Sequence, residues 1–122
     1  MVTKLLLVTL GGGLGSMLRY LTSAYVARHN SGAFPLPTFL VNIAGCLLIG
    51  LLFGLSGRYL NENVKLLFIP GFCGGYTTFS TFAIENLKLM QDGHYLILAS
   101  YILLSVTVGI FAVWLGCHLS GR

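Results

Sequence analysis

The stretch at residues 70–85 reads PGFCGGYTTFSTFAIE and breaks the apolar pattern of its surroundings. It combines a proline, three glycines and four serine or threonine residues, and it ends on a glutamate. Pro70 cannot donate a helical hydrogen bond, and Gly74 and Gly75 lower the cost of leaving helical geometry. The stretch therefore predicts a helix that is interrupted near its middle.

An interrupted helix exposes two kinds of backbone group that can bind ions of opposite charge. The carbonyl groups at the end of its first half suit a cation, whereas the N–H groups at the start of its second half suit an anion. Hydroxyl side chains close to the interruption can cap the second half or line a polar path. Four such residues follow the glycines: Thr77, Thr78, Ser80 and Thr81.

Two aromatic rings and a carboxylate follow the interruption. Phe79, Phe82 and Glu85 succeed one another at intervals of three residues, which places them on roughly one face of a helix. Because aromatic edges carry partial positive charge, this face could line a route for a small anion. The alternative is that the rings only pack and that the threonines satisfy their own backbone.

Further polar residues fall inside apolar runs. Asn42 follows Thr38 by one helical turn, so an amide and a hydroxyl share a face. An amide in lipid needs a partner, and either an ion or an interhelical hydrogen bond would serve. Arg19 indicates a functional charge unless its side chain snorkels to the membrane surface. Tyr101 and Ser105 form a small polar stripe on the last apolar segment.

The elements that must position these residues are apolar spans. The chain is 56% hydrophobic and only 8% charged, whereas about a quarter of an ordinary soluble domain is charged. Four runs reach the roughly 20 residues that a bilayer requires. We therefore predict an all-α membrane protein built as a single four-helix transmembrane domain, residues 1–122, with spans at about 5–27, 38–56, 64–89 and 95–117.

The basic residues say little about orientation. The net charge is +4, but the basic residues are scattered singly, which argues against a nucleic-acid-binding patch. If both termini lie on one side, four basic residues lie there and three lie opposite, so the positive-inside rule gives almost no preference. We expect the chain to insert in both orientations and to pair antiparallel with itself. The two groups are Lys4, Arg58, Lys65 and Arg122, against Arg19, Arg28 and Lys88.

Taken together, these residues resemble the Fluc family, or CrcB proteins, which are small fluoride channels of microbial membranes. The resemblance covers the whole chain: a glycine-rich first helix leading to Arg19, the segment TFLVNIAGCLLIG, the motif GFCGGYTTFSTFAIE and an uncharged last helix. It implies a four-helix fold with a broken third helix, assembled as an antiparallel, dual-topology homodimer. It also implies a multi-pass protein of the inner (plasma) membrane that exports cytoplasmic fluoride passively and reduces its toxicity.

The resemblance further implies roles for particular residues. Backbone carbonyls of Gly74 and Thr77 from both chains would hold a structural Na⁺ at the dimer interface. Asn42 would donate an amide N–H to fluoride, and the ring edges of Phe79 and Phe82 would meet it. The other residues implied to belong to the anion pathway, or to adjoin it, are Arg19, Thr38, Ser80, Thr81, Glu85, Tyr101 and Ser105.

Three other classes of function compete with this interpretation. A small multidrug antiporter also packs four short helices into an antiparallel dimer, but it needs a membrane carboxylate, usually in its first helix. Glu85 is the only acidic residue in the predicted spans, and it lies in the third. A subunit without transport activity would not need the polar residues described above. An enzyme is disfavoured because no nucleophile and base pair, metal cluster or phosphate loop is visible in the sequence.

Overall fold

The computed structural model describes residues 1–121, and within them the chain is built from helices without strands. Arg122, which entered the charge comparison above, lies outside the described residues. This architecture confirms the predicted all-α class with a broken third helix. The elements are α1 (Val2–Arg28), α2 (Leu36–Ser56), α3 (Glu62–Leu66), a π-helix called π1 (Leu67–Cys73), α4 (Gly74–Tyr76), α5 (Phe79–Gln91) and α6 (Tyr95–Ser120).

Three of the helices, α1, α2 and α6, are long and apolar enough to cross a membrane. Their outward faces carry large exposed apolar side chains, among them Leu6, Leu103 and Ile110. Such surfaces suit hydrocarbon rather than water. The chain is therefore a multi-pass membrane protein. Its remaining apolar segment, from α3 to α5, is the one that does not form a continuous helix.

Glycines bring the helices together in two pairs. In the α2–α6 pair, a side chain at Gly50 would collide with the backbone of Val113, and one at Gly116 would collide with the Leu47 carbonyl. In the other pair, α1 lies against π1 and α4, and Gly11 touches the backbone at Leu67. Close backbone contact through small residues is how helices associate in lipid. The fold is thus two tightly packed pairs laid side by side.

The irregular segment first widens and then breaks. Pro70 lies inside π1, where the absence of its N–H is compatible with the wider turn. The chain leaves helical geometry at Thr77 and Thr78, whose backbones are extended. The expectation that Gly74 and Gly75 themselves break the helix is wrong, because both remain in α4. Gly75 instead allows the backbone of α1 to approach closely.

Candidate functional site

The extended backbone at Thr78 is held by one side chain from α2. The Asn42 amide donates from Nδ2 to the Thr78 carbonyl at 3.1 Å, and the Thr78 N–H donates to Asn42 Oδ1 at 2.8 Å. Asn42 thus replaces, on both sides of one residue, the hydrogen bonds that a continuous helix would supply. Its amide nitrogen carries two hydrogens, and the structure shows only one of them in use.

The turn just before the break is held from the opposite side by α1. Arg19 donates from Nε to the Gly75 carbonyl at 3.0 Å, and Ser16 donates to the same oxygen at 3.5 Å. The guanidinium is therefore fixed against the protein by this bond, at the level of the broken helix. Arg19 and Asn42 together hold the interruption between α1 and α2.

A carboxylate with two hydroxyl donors lies one helical turn beyond the aromatic residues. Thr38 donates to Glu85 Oε2 at 2.7 Å, and the Tyr101 hydroxyl donates to Glu85 Oε1 at 2.8 Å. Thr38 and Tyr101 are buried, and Tyr101 has no exposed surface. Charge-assisted hydrogen bonds of this length are among the stronger ones in proteins. Three predicted site residues from α2, α5 and α6 therefore form one cluster.

A chain of rings connects this cluster to the surface of the protomer. Phe79 and Phe82 have ring centroids 5.8 Å apart, and the Phe82 ring lies 4.9 Å from that of Tyr101. Phe34 packs edge-on against Tyr101 from the other side, at 5.4 Å. Phe79 begins this chain with 78% of its surface exposed. The rings therefore run from the outside of the protomer to a buried hydroxyl.

A large cavity gathers many of the predicted residues. Its volume is about 570 Å³, and its wall is mostly apolar with a few polar groups. Lining residues that the sequence singled out are Asn42, Gly74, Thr77, Thr78, Phe79, Phe82 and Ser105. Glu85, Thr38, Tyr101 and Arg19 do not line it, and neither do Ser80 and Thr81.

The hydroxyl residues at the start of α5 form their own small network. The Thr78 hydroxyl caps α5 by accepting from the Thr81 N–H at 3.3 Å, and it also donates to the Thr81 hydroxyl at 3.2 Å. Ser80 lies 3.5 Å from the Thr78 hydroxyl and is exposed. Thr78 therefore serves as both the capping residue and the residue that Asn42 holds.

A second, smaller cavity of about 260 Å³ lies at the far end of α5. Glu85 lines it, so the carboxylate cluster adjoins this cavity while the ring of Phe82 borders the larger one. The other lining residues are Ala33, Pro35, Lys88, Leu89, Asp92 and His94. The Glu85 cluster and the rings thus lie between two cavities.

Two backbone carbonyls at the break lose the N–H donors that a continuous helix would give them. The Thr78 N–H, which would reach the Gly74 carbonyl in a continuous helix, donates to Asn42 instead. The Thr81 N–H, which would reach the Thr77 carbonyl, donates to the Thr78 hydroxyl. Carbonyl oxygens are ligands that hard cations prefer. Gly74 is also exposed on the protomer surface. Oxygens of this kind suit the cation that the family resemblance implies, with the same carbonyls of a second chain completing its ligands.

Some contacts at the site escaped the sequence reasoning. Phe34 had no signal, because nothing in a short loop before α2 indicates that a ring packs on Tyr101. Tyr76 stacks on Phe72 with centroids 6.0 Å apart and donates to the Thr22 hydroxyl at 3.2 Å. Ser16 belongs to the glycine-rich face of α1, where its hydroxyl could have suggested a polar contact.

The fold and the site together define a small multi-pass membrane protein whose interrupted helix borders a partly polar cavity. Residues 6–117 match the family described as CrcB-like protein, Camphor Resistance (CrcB). The chain belongs to this family.

Curated relatives agree over nearly the whole chain. A protein of Azobacteroides pseudotrichonymphae named fluoride-specific ion channel FluC is 50% identical over 122 residues, which cover 98% of each chain. Proteins with the same name from Flavobacterium psychrophilum and Phocaeicola vulgatus are 50% and 47% identical. They cover 89% and 96% of this chain, and 90% and 98% of their own lengths.

Proposed function

We propose that this chain forms a fluoride-selective channel that lets cytoplasmic fluoride leave the cell passively and so reduces fluoride toxicity. The relatives that match most of its length are named for a fluoride-specific ion channel, not for an enzyme or an antiporter. The observation that carries the proposal is the set of donors and ring edges around the broken helix, between Asn42 and Glu85.

Fluoride is a small anion that holds its water strongly, so a narrow route must replace water with protein donors. Asn42 lines the larger cavity, and one of its two amide hydrogens is not engaged by Thr78. That hydrogen is the donor we assign to the anion. Phe79 and Phe82 line the same cavity, and their positively polarised edges suit an anion that has lost part of its hydration.

Beyond the rings, we assign the route to the hydroxyl groups near Glu85. Thr38 and Tyr101 both donate to the carboxylate, so an anion on this route competes with Glu85 for the same two donors. Ser105 lines the larger cavity and continues the route along α6. We place Ser80 and Thr81 at the margin of the route. Arg19 contributes positive potential beside the break.

A second copy of the chain completes the pathway in this proposal. Phe79 is 78% exposed in a single protomer. A single protomer therefore cannot shield an anion beside Phe79 from lipid. Gly74 and Pro70 line the same cavity and are also exposed. We propose that an antiparallel copy covers this face, because the basic residues favour neither orientation.

We propose a structural Na⁺ at the carbonyls of Gly74 and Thr77. Two oxygens do not fill the coordination shell of a hard cation, so the same carbonyls of the second copy would supply the remainder. When bound, the ion would contribute a fixed positive charge close to the anion route and would join the two broken helices. We place the assembly in the inner (plasma) membrane, where export of fluoride protects the cytoplasm.

The experiment that tests the function is efflux from liposomes loaded with potassium fluoride, followed with a fluoride electrode. Valinomycin supplies the potassium counter-current, and liposomes loaded with chloride provide the comparison. We expect rapid release of fluoride and little release of chloride. Liposomes that contain folded protein and release neither anion would contradict the proposal.

A substitution at the break makes the test specific to the pathway. Asn42→Asp removes both amide hydrogens and places a negative charge at the cavity, so we expect fluoride efflux to fall by at least about a hundredfold. Asn63→Asp, at an exposed position of α3, is the matched control and should conduct normally. Asn42→Asp protein that conducts like the control would remove Asn42 from the route.

A further inference from the structure

The Glu85 cluster has one side that meets water and one side that does not. Glu85 lines the smaller cavity together with Lys88 and Asp92, whose side chains are exposed, so water reaches the carboxylate there. Its two hydroxyl donors do not line that cavity. Thr38 is buried, and Tyr101 has no exposed surface. Something must therefore separate the water of the smaller cavity from the Tyr101 hydroxyl.

Phe34, in the loop between α1 and α2, lies at this boundary. Its chain neighbours Ala33 and Pro35 line the smaller cavity, whereas Phe34 itself does not. The Phe34 ring instead packs edge-on against Tyr101, with ring centroids 5.4 Å apart and an interplanar angle of 74°. Phe82, which borders the larger cavity, packs on the same tyrosine at 4.9 Å. The Tyr101 ring is therefore covered by one phenylalanine next to each cavity.

The loop holds Phe34 in a defined position. The Phe34 carbonyl accepts from the Leu36 N–H at 2.7 Å and from Nδ2 of the Asn30 amide at 3.2 Å. The Phe39 ring also packs edge-on against the Phe34 ring, with centroids 5.5 Å apart. Because apolar space in proteins stays dry, a ring held in this way excludes water from the space that it fills.

We propose that Phe34 is a hydrophobic plug between the smaller cavity and the Glu85 cluster, and that it supports anion selectivity by keeping water from the Tyr101 hydroxyl. This inference rests on the proposed fluoride function. A narrow route favours fluoride where protein donors replace the water of the ion. A water-filled gap beside Tyr101 would let chloride, which is larger and less strongly hydrated, pass more easily. Phe34 acts through Tyr101 and is therefore a positioning residue.

The first test measures water access and does not depend on fluoride transport. Hydroxyl-radical labelling of the full chain in micelles, read by mass spectrometry, reports which tyrosines are in contact with water. We expect Phe34→Ala to raise the labelling of Tyr101 at least about tenfold, because no ring then separates it from the smaller cavity. Phe34→Leu keeps an apolar side chain in that space and should leave Tyr101 protected. Tyr59, which is exposed, is the internal reference, and Tyr101 labelling that Phe34→Ala does not change would overturn the inference.

The second test is the ratio of fluoride to chloride efflux from liposomes. We expect Phe34→Ala to lower this ratio at least about tenfold, whereas Phe34→Leu should retain most of it. Phe53→Ala removes an exposed ring from α2 and is the matched control, which should leave the ratio unchanged. If Phe34→Ala does not fold, Phe34→Val takes its place in both tests.

The two readouts separate selectivity from stability and from the function itself. Loss of Phe34 that slows the efflux of both anions equally would overturn the inference, because a merely structural role would leave the ratio unchanged. A wild-type protein that moves no fluoride would instead contradict the proposed function, while the labelling of Tyr101 still decides whether Phe34 excludes water. The two failures are therefore distinguishable.

Discussion

The α2–α6 pair and the broken third segment differ in how their backbone hydrogen bonds are satisfied in lipid and in what holds them against their neighbours. In the α2–α6 pair, backbone hydrogen bonds stay within each helix, and Gly50 and Gly116 let the backbones touch. In the third segment, the helical bond of the Thr78 N–H is lost, and the side chain of Asn42 from α2 bonds to both the N–H and the carbonyl of Thr78. Close packing at glycines holds the α2–α6 pair together, whereas side-chain hydrogen bonds hold the broken segment.

The difference shows how a membrane protein can keep irregular backbone at a chosen place. Each unsatisfied backbone group in hydrocarbon costs several kcal/mol, so the break persists only where Asn42 and Arg19 meet it. These side chains come from α2 and α1, which the glycine contacts hold in position. The α2–α6 pair and the α1 contacts therefore act as the scaffold, and the side-chain bonds set the geometry of the break.

The largest expected loss of stability is in the α2–α6 pair. Gly50→Ala adds a methyl group where the Val113 backbone already lies, so α2 and α6 must separate. We expect a loss of at least about 3 kcal/mol in unfolding free energy, at the upper end of overpacking costs. Denaturant titration in mixed micelles measures it. Gly13→Ala, where no atom lies nearby, is the control and should gain up to about 1 kcal/mol. Equal stabilities for the two variants would contradict this account of the pair.

A smaller loss is expected where one charged side chain holds the break. Arg19→Ala removes the donor at 3.0 Å from the Gly75 carbonyl, and hydrogen bonds to charged groups contribute about 1.5–3 kcal/mol. We expect a loss in that range in the same titration, together with slower fluoride efflux. Arg28→Ala, at the exposed end of α1, should leave both unchanged. An Arg19→Ala protein with wild-type stability would show that Asn42 alone maintains the break.

Sequence reasoning located the broken segment and most of the side chains around it, but not their partners. Thr38 and Asn42 were placed on one face of α2, yet Thr38 bonds to Glu85 and Asn42 bonds to Thr78. The break was predicted from Pro70, Gly74 and Gly75, whereas the backbone is extended at Thr77 and Thr78. Helix periodicity fixes which residues share a face, whereas the partner of each depends on the height at which neighbouring helices cross. That height is a tertiary property.

Substitution in the Glu85 cluster tests whether side-chain hydrogen bonds away from the break contribute as much stability as those at the break. Tyr101→Phe keeps the ring against Phe34 and Phe82 but removes the donor at 2.8 Å from Glu85. We expect a loss of about 1–2 kcal/mol, because Glu85 keeps the Thr38 donor. Efflux should also change, since the proposed route uses this hydroxyl. Tyr59→Phe, at an exposed tyrosine, is the matched control. Efflux unchanged in Tyr101→Phe would place the route away from this cluster.

The smallest effect is expected at Ser16, which shares the Gly75 carbonyl with Arg19. Its hydroxyl lies 3.5 Å from that oxygen, compared with 3.0 Å for the guanidinium. Since hydrogen bonds weaken beyond about 3.2 Å, Ser16→Ala should cost less than about 0.5 kcal/mol, which is below the roughly 0.5–1.5 kcal/mol of a typical bond. Ser23→Ala on the same helix, at a serine without a described hydrogen bond, is the control.

In the double variant with Arg19→Ala, the Ser16 hydroxyl becomes the remaining side-chain donor to the Gly75 carbonyl, so the cost of removing it should rise. A cost that stays the same in both backgrounds would mean that α1 holds the broken segment by its glycine contacts and Arg19 alone.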